Sequence, residues 1–166
     1  MLPIRLRLAA TLLVATTLFP ATARTQSAAQ DSLAVIRLAE QLLDRLSVRD
    51  TVALRALMAP GAVIAAVSDP APPAGGIRFQ TDVQFLSGLS RGSERLLERM
   101  WAPKALLYGT LAEVHAPYDF HIDGRFSHCG TDIFTFMRTA EGWRVVGIQY
   151  TTQRTGCAPS PLGPPR

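Results

Sequence analysis

Hydrophobic residues in the first part of the chain recur at the spacing of an α-helix. From Asp31 onward, apolar side chains return every three or four positions, with charged residues between them. This pattern predicts a helix of about four turns with one apolar face and with Asp31 as its N-cap. Asp50 or Thr51 then caps a second, short helix through Leu57 or Met58.

A strand, a loop and a third helix are predicted next. Pro60 and Gly61 stop the second helix, and residues 62–67 have the composition of a strand. Residues 69–76 combine prolines with glycines, which disfavours regular structure there. The third helix covers residues 81–89 with Thr81 as its cap, and its predicted buried residues are Val83, Phe85, Leu86 and Leu89.

In the second half of the chain the hydrophobic period shifts towards two, which is typical of strands. Residues 94–100 fit either a helix or a strand, and local propensity alone favours a helix. Asp123-Gly124 is a strong hairpin signal. The predicted strands are residues 105–116, 118–122, 125–138 and 143–152.

The order of these elements predicts the fold class. Helices come first and strands follow, which is typical of an α+β domain with its helices on one face of an antiparallel sheet. Gly109, Gly130 and Gly147 allow the long strands to bend. We therefore expect a cone-shaped, curved antiparallel sheet wrapped around the N-terminal helices, with a pocket inside.

The N-terminus has the features of a cleaved signal peptide. Arg5 and Arg7 precede an uncharged apolar run at residues 8–19, and small residues follow. The run is shorter than the roughly 20 residues that a membrane-spanning helix needs. We predict a signal peptide at residues 1–23, with cleavage after residue 29 as the alternative. The mature protein is then exported to the periplasm or outside the cell, without a membrane attachment.

Charge and cysteine content narrow the choice of partners. Cleavage after residue 23 leaves 15 of the 17 basic residues against 13 acidic ones, and the arginines are scattered. Nucleic-acid binding needs a clustered basic face, so the sequence argues against that class.

Cys129 and Cys157 are an even pair in a chain bound for an oxidising compartment, which favours a disulfide over two free thiols. Four prolines predict a flexible tail at residues 158–166.

Three groups of residues stand out as motifs. Arg49-Asp50 is followed by Leu54, Leu57 and Pro60-Gly61, residues 116–120 are followed by 126–130, and Gly142-Trp143-Arg144-Val145 lies near the end of the domain. The first group resembles the opening signature of helix, Arg-Asp, short helix and strand of the nuclear transport factor 2-like, or SnoaL-like, superfamily. The group at Gly142 is similar to the penultimate turn and last strand of that superfamily, and the middle group resembles an exported bacterial branch.

The resemblance implies a fold and an outline of function for residues 31–157. Proteins of this superfamily form a cone that is open at one end and encloses a small-molecule cavity, and they often dimerise through the outer face of the sheet. Some are cyclases, isomerases or dehydratases that use an Asp/His pair. The resemblance also implies a strand at residues 94–101, against the helix that local propensity favours.

The strand that begins at residue 125 carries the candidate polar residues. Alternation places Phe126, His128 and Asp132 on one face with two further phenylalanines, and we assign this face to the concave side of the sheet. His128 and Asp132 are about 13 Å apart along a strand of the usual rise, so they do not touch. Each would face a partner on a neighbouring strand, such as Gln149 or Tyr118.

His128 and Asp132 are the candidate catalytic residues. A histidine in an apolar pocket titrates near neutrality, and burial raises the pKa of a carboxyl group, so both suit general acid–base chemistry. The alternative is a structural or ligand-orienting role. The predicted ligand pocket consists of Tyr118, Phe120, Phe126, His128, Asp132 and Gln149.

The three histidines do not predict a metal site. The spacing of His115, His121 and His128 matches no zinc pattern, and we expect His115 and His121 to face solvent near strand ends. We therefore predict neither a metal nor a cofactor.

These features predict an exported protein whose pocket binds a small, mostly apolar organic molecule. Two alternatives remain open. One is an isomerase, dehydratase or cyclase that uses His128 or Asp132 as general base. The other is a non-catalytic interaction module that forms a homodimer.

Overall fold

The computed structural model of the chain describes residues 21–70 and 76–165, with side chains from residue 28 onward. Its helices are α1 (Ala21–Ser47), α2 (Thr51–Leu57) and α3 (Asp82–Arg91). Its strands are β1 (Met58–Ser68), β2 (Arg78–Thr81), β3 (Leu96–Met100), β4 (Lys104–Tyr108), β5 (Leu111–Ile122), β6 (Arg125–Thr139) and β7 (Gly142–Thr152). Most of the predicted signal peptide lies outside the described residues, as does part of the predicted loop at 69–76. None of the described helices has the length and apolar character needed to cross a membrane.

The strands form one curved sheet that stays open between its outermost strands, β2 and β3. The strand order is β2-β1-β7-β6-β5-β3, and β4 also pairs with β5. Helix α1 packs on β3, β4 and β5, and α3 packs on β1, so both helices cover the same, inner face. This arrangement confirms an α+β fold with a curved sheet around the N-terminal helices.

One strand pair departs from the expected antiparallel sheet. β1 runs parallel to β7, whereas the other neighbouring strands are antiparallel. Parallel neighbours need a long connection between them. Here the connection contains α3 and strands β2 to β6, so the first and last strands of the domain can lie side by side.

Two of the predicted helix caps are confirmed. The backbone N–H of Ala53 donates to the Asp50 carboxylate at 2.9 Å, which fixes the start of α2. At α3, the N–H of Gln84 donates to the Thr81 hydroxyl at 3.2 Å, and the Thr81 N–H donates back to the Gln84 side chain at 2.9 Å. This reciprocal pair is a capping box.

The predicted Asp31 cap is wrong, because α1 begins ten residues earlier, at Ala21. Asp31 lies inside this helix, and its carboxylate forms an ion pair with Arg138 on β6. The same carboxylate accepts a hydrogen bond from the Trp143 indole at 3.4 Å. Asp31 therefore connects α1 to the last two strands.

The prediction that Val83 is buried was also wrong. It is 58% exposed, because α3 turns that position away from the core.

The strand boundaries between residues 94 and 122 differ from those predicted. Residues 105–116 are not one strand, because Gly109 adopts a φ of 68° and turns the chain between β4 and β5. β5 then continues without a break to Ile122 and includes the segment predicted as a separate strand. Leu96–Met100 is a strand, as the resemblance implied, since it pairs along its full length with β5.

The Arg-Asp motif after α1 connects the helices to the start of β3. Arg49 has a φ of 55° and closes the turn between α1 and α2. Its guanidinium donates to the Leu89 carbonyl at 2.8 Å and to the Glu94 carbonyl at 3.0 Å. It also forms an ion pair with the Glu94 carboxylate at 2.8 Å. A Cβ at Gly92 would lie 2.3 Å from this guanidinium, so a larger residue there would displace the Arg49 side chain from these contacts.

A disulfide bond attaches the C-terminal segment to the outer face of the sheet. Cys129 on β6 is bonded to Cys157, with their Cα atoms 6.1 Å apart. The tail beyond it crosses β3, where Arg99 donates to the Gly163 carbonyl at 3.0 Å. The predicted cysteine pairing is thus present in the structure, whereas the flexibility of the tail stays a prediction.

Candidate functional site

A cavity of about 280 Å³ lies between helices α1 and α3 and the inner face of the sheet. Most of its wall is apolar, and the apolar residues come both from helices α1 and α3 and from the strands. The apolar lining includes Leu42, Leu46, Phe85, Phe120, Phe134 and Ile148. A few polar side chains interrupt this lining, namely Gln80, Glu98, His128, Asp132 and Tyr150.

The strand register explains why several polar side chains reach the same space. Asp132 on β6 pairs with Tyr150 on β7, which pairs with Ala66 on β1, which pairs with Arg78 on β2. Directly paired residues project from the same face of a sheet. Asp132 and Tyr150 therefore lie side by side in the cavity, and Arg78 lies at its rim, beyond the small Ala66.

The centre of the site is a pair of carboxyl groups from Glu98 and Asp132. Glu98 projects inward from β3, opposite Phe120 on β5. Burial raises the pKa of Glu98 from 4.5 to about 7, and a hydrogen bond from Asp132 partly offsets this effect. Burial, followed by the charge of Glu98, raises the pKa of Asp132 well above its ordinary value. The pair therefore retains a proton at neutral pH.

Asp132 is the more deeply enclosed of the two acids. Only 1% of its surface is exposed, and its Oδ2 atom is buried without a hydrogen-bond partner in the described part of the chain. Leaving a buried polar atom unpaired costs about 1–3 kcal/mol. An unpaired atom of this kind on a cavity wall is typical of a binding or catalytic site.

Tyr118 is buried beside the cavity, with its ring edge-on to the rings of His128 and Tyr150 on the cavity wall. A Cβ at Gly130 would lie 2.8 Å from the Tyr118 ring and 2.0 Å from the Thr151 carbonyl oxygen, so only glycine lets the ring lie over β6. The Tyr118 hydroxyl donates to that same carbonyl at 2.8 Å. Burial, and then the nearby Asp132 carboxyl, raises the pKa of Tyr118, so the phenol stays protonated.

His128 is on the cavity wall, as predicted, but it is not paired with Asp132. Its ring stacks on Phe120 at 5.0 Å and meets the Tyr118 ring edge-on at 5.7 Å. Its Nδ1 atom is 3.0 Å from the Ser127 hydroxyl. Burial lowers the pKa of His128, and the charges of Arg154 and Arg78 lower it further. The imidazole is therefore neutral at neutral pH.

Phe126 was predicted to share the inner face with His128, and this is wrong. Phe120 pairs with His128, but His121 pairs with Phe126, so Ser127 is an extra residue in β6. Such a bulge reverses the alternation of side chains on one side of it. Phe126 accordingly lies outside, 49% exposed, against the ring of His121.

Gln149 is also outside the cavity. It pairs with Ile133, which faces outward, and its side chain oxygen lies 3.3 Å from the Thr135 hydroxyl on the outer face. Of the six predicted pocket residues, the structure brings Phe120, His128 and Asp132 to the cavity wall. Tyr118 is not on the wall but packs against His128 and Tyr150, which are. What any of them binds stays a prediction.

His121 does not face solvent, contrary to expectation. It is 5% exposed on the outer side of β5, with its Nδ1 atom 3.7 Å from the Asp119 carboxylate. Arg99 binds that carboxylate with two nitrogen atoms, and the C-terminal segment that Arg99 also contacts lies over this side of the sheet. His115 is partly buried within β5. In the described ranges, no three histidine, cysteine or acidic side chains are placed to hold a metal ion.

Sequence reasoning missed Glu98, Tyr150 and Arg78. Once residues 96–100 are assigned as a strand, alternation places Glu98 on the same face as Leu96 and Met100. A single acid between two apolar residues of one face was therefore the available signal. The positions of Tyr150 and Arg78 depend on the pairing of β7 with β1 and of β1 with β2, which local pattern does not reveal.

Solved structures provide the comparison for this architecture. A nuclear transport factor 2-like protein with a cystatin-like fold from Novosphingobium aromaticivorans aligns with a TM-score of 0.67 and 17% identity, over 85% of this chain and 94% of its own. The chain has the nuclear transport factor 2-like fold. The same fold relates it to the β subunit of a proposed aromatic-ring-hydroxylating dioxygenase from that organism, with a TM-score of 0.65, 11% identity and coverages of 84% and 99%.

A proposed dehydratase of the nuclear transport factor 2-like family from Streptomyces avermitilis is similar as well. It aligns with a TM-score of 0.60 at 14% identity, over 75% of this chain and 96% of its own. No protein-family profile and no curated protein matches the sequence. At these identities the likeness establishes the fold, and the function must be argued from the cavity itself.

Proposed function

We propose that this chain is an exported protein that binds a small, mostly apolar organic molecule in the cavity under α1 and α3. The observation that carries the proposal is the cavity of about 280 Å³ with its apolar wall and its paired carboxyl groups, Glu98 and Asp132. Small-molecule sites combine a mostly hydrophobic lining with a few polar groups that fix orientation. The volume is just below the roughly 300–1,000 Å³ of drug-sized sites, which favours a compact ligand.

A pair of variants on α3 tests whether ligands bind in this cavity. Gly88 lies on the cavity lining, and a Cβ built there meets no atom within 4 Å. Gly88→Phe should therefore narrow the cavity without a backbone clash. Val83→Phe, on the exposed side of the same helix, is the matched control.

The measurement is a thermal-shift screen with small aromatic and aliphatic compounds, including indole and 2-phenylethanol. A ligand at one hundred times its Kd stabilises the folded state by about 2.7 kcal/mol. We expect shifts for the wild type and for Val83→Phe, and none for Gly88→Phe. The proposal fails if no compound stabilises the wild type, or if Gly88→Phe leaves every shift unchanged.

Export is supported by the basic and apolar N-terminal segment and by the Cys129–Cys157 disulfide, which suits an oxidising compartment. Expression of the full chain in a Gram-negative host tests it. We expect the processed protein in the periplasm or medium, with an N-terminus at Arg24, or at Gln30 for the alternative cleavage. Recovery of unprocessed chain from the cytoplasm alone would refute export.

An acid–base enzyme is the second candidate, because burial raises the pKa of Glu98 to about 7 and the pKa of Asp132 beside it well above its ordinary value. The similar dehydratase supports this class of reaction. Asp132 is the better base of the two predicted residues, since its Oδ2 atom is unpaired and His128 is stacked on an aromatic ring. Turnover of a screened substrate should be lost in Asp132→Asn; an unchanged rate would remove Asp132 from the mechanism.

Dimer formation through the outer face of the sheet is a further candidate role. Phe79 is 67% exposed there, and Ile77, Ile133 and Val63 are exposed on the same side. Exposed apolar surface of this kind marks association sites. Analytical ultracentrifugation of the wild type should show a concentration-dependent dimer, and a monomer at all concentrations would exclude it.

A further inference from the structure

Among the described residues, the charged groups that line the cavity are acidic. Glu98 and Asp132 are on its wall, and the lining within the described residues contains neither lysine nor arginine. Helices α1 and α3 contribute only apolar residues to the wall. The remaining titratable groups that face the pair are His128 on β6, Tyr118 on β5 and Tyr150 on β7. An anionic ligand group would therefore meet two acids without a counter-charge inside the cavity.

The buried Asp132 Oδ2 atom indicates which kind of ligand group would complement the site. This atom is an acceptor without a donor, and it lies on the cavity wall at 1% residue exposure. The Tyr118 hydroxyl does not supply the donor, since it is directed to the Thr151 carbonyl. The complementary group must donate hydrogen bonds and compensate negative charge.

Aromatic rings surround the pair and favour a cation further. Phe120 pairs with Glu98 across the sheet, Tyr150 pairs with Asp132, and Phe134 lies on the same wall. The faces of such rings attract organic ammonium groups, most strongly where water is excluded. Carboxyl groups and aromatic faces on one small cavity are the chemistry that recognises an amine.

We propose that the Glu98–Asp132 pair binds the ammonium group of a small apolar amine, with the ammonium N–H groups donating to Asp132 Oδ2 and to the Glu98 carboxylate. This inference rests on the proposed binding function and names the ligand class. The apolar part of the amine occupies the space between α1, α3 and the aromatic residues. On binding, the ammonium ion takes the place of the proton on Glu98, and that proton is released to solvent.

The affinity for an amine therefore depends on pH in a defined direction. Between pH 6 and 8 the carboxyl pair is the part of the site that changes charge, because burial lowers the pKa of His128 and raises the pKa of Tyr118 and of Tyr150. Release of one proton with a pKa of about 7 should raise amine affinity about tenfold between pH 6 and pH 8.

Isothermal titration calorimetry with two matched probes tests the proposal. The probes are 2-phenylethylamine and 2-phenylethanol, which differ only in the amine and hydroxyl groups. At pH 7.5 we expect the amine to bind the wild type about tenfold or more tightly than the alcohol, since bonds to charged groups are the stronger ones. Titration in buffers of different ionisation enthalpy should show proton release.

Two variants test whether the carboxyl pair causes the preference for the amine over the alcohol. Glu98→Gln and Asp132→Asn should each lose the tenfold amine preference while still binding 2-phenylethanol. Glu113→Gln, which removes a carboxylate on the outer face of β5, should keep it. If a cavity variant does not fold, the comparison of the two probes on the wild type decides by itself.

The outcomes separate this inference from the proposed function. Binding of the alcohol with equal or weaker binding of the amine would overturn the amine inference and leave the binding function in place. Binding of neither probe, nor of any compound in the thermal-shift screen, would overturn both. Amine binding that is unchanged in Glu98→Gln and Asp132→Asn, or that does not vary with pH, would also overturn the inference.

Discussion

Replacing Glu98 by glutamine should stabilise the protein above neutral pH. The pKa of Glu98 is raised from 4.5 to about 7 in the folded protein. Each pKa unit corresponds to about 1.4 kcal/mol, so ionising this group in the folded state costs about 3 kcal/mol relative to the unfolded chain. We expect about 2 kcal/mol of this to be measured, because Glu98 keeps some contact with solvent and its charge is partly screened.

The sign of the pH dependence follows from the direction of the shift. A carboxyl group with a raised pKa in the folded state is most favourable below pH 4.5, where it is protonated in both states. Its contribution is lost as the pH rises towards and through 7. Glu98→Gln keeps the shape of the protonated acid and cannot ionise. The variant should therefore match the wild type near pH 4.5 and exceed its stability near pH 8.

Urea denaturation at pH 4.5 and pH 8 measures this difference as the free energy of unfolding. Glu113→Gln is the control, and its difference from the wild type should be small at both values. A Glu98→Gln variant that is less stable than the wild type at pH 8 would refute the reasoning. So would a stability difference of equal size at both pH values, since that would reflect packing and not ionisation.

Other predictions concern packing, the cross-link and assembly. Gly130→Ala should destabilise the fold by about 3 kcal/mol, because its Cβ would lie 2.0 Å from the Thr151 carbonyl, whereas Gly88→Ala should be neutral or stabilising in the same urea assay. Cys157→Ser should cost about 3–4 kcal/mol for a loop separation of 28 residues, with no further loss on adding reductant. Ile133→Arg should convert a dimer to a monomer in sedimentation experiments without unfolding it, and a persisting dimer would exclude the outer face as the interface.

The fold could be predicted from the sequence where local signals and tertiary pairing agree. Asp50 and Thr81 cap helices by contacts with residues three positions away, so the local sequence contains both partners. Asp31 has the same residue type in front of an apolar helical pattern, yet its partner Arg138 is more than one hundred positions away. A local pattern cannot distinguish these two cases.

The candidate site was only partly predictable for the same reason. Alternation correctly placed Asp132 on the inner face, because β6 itself has no extra residue between Asp132 and the phenylalanines that follow. The irregularity at Thr135 and Phe136 adds its extra residue to β7. It failed at Phe126, where the extra residue Ser127 becomes visible only from the register with β5. Glu98 was missed because leucine, glutamate, arginine and methionine are good helix formers, and pairing with β5 overrides that propensity.

The row of residues from Arg78 to Asp132 gives the cavity opposite charges at its two ends. A cation that binds the acids inside must first pass the guanidinium at the rim, so the rim repels the same ion that the interior attracts. Dissolved salt screens the exposed arginine far more than the buried acids. Raising the ionic strength should therefore speed both the uptake and the release of a positively charged molecule, because the molecule passes the same guanidinium in both directions.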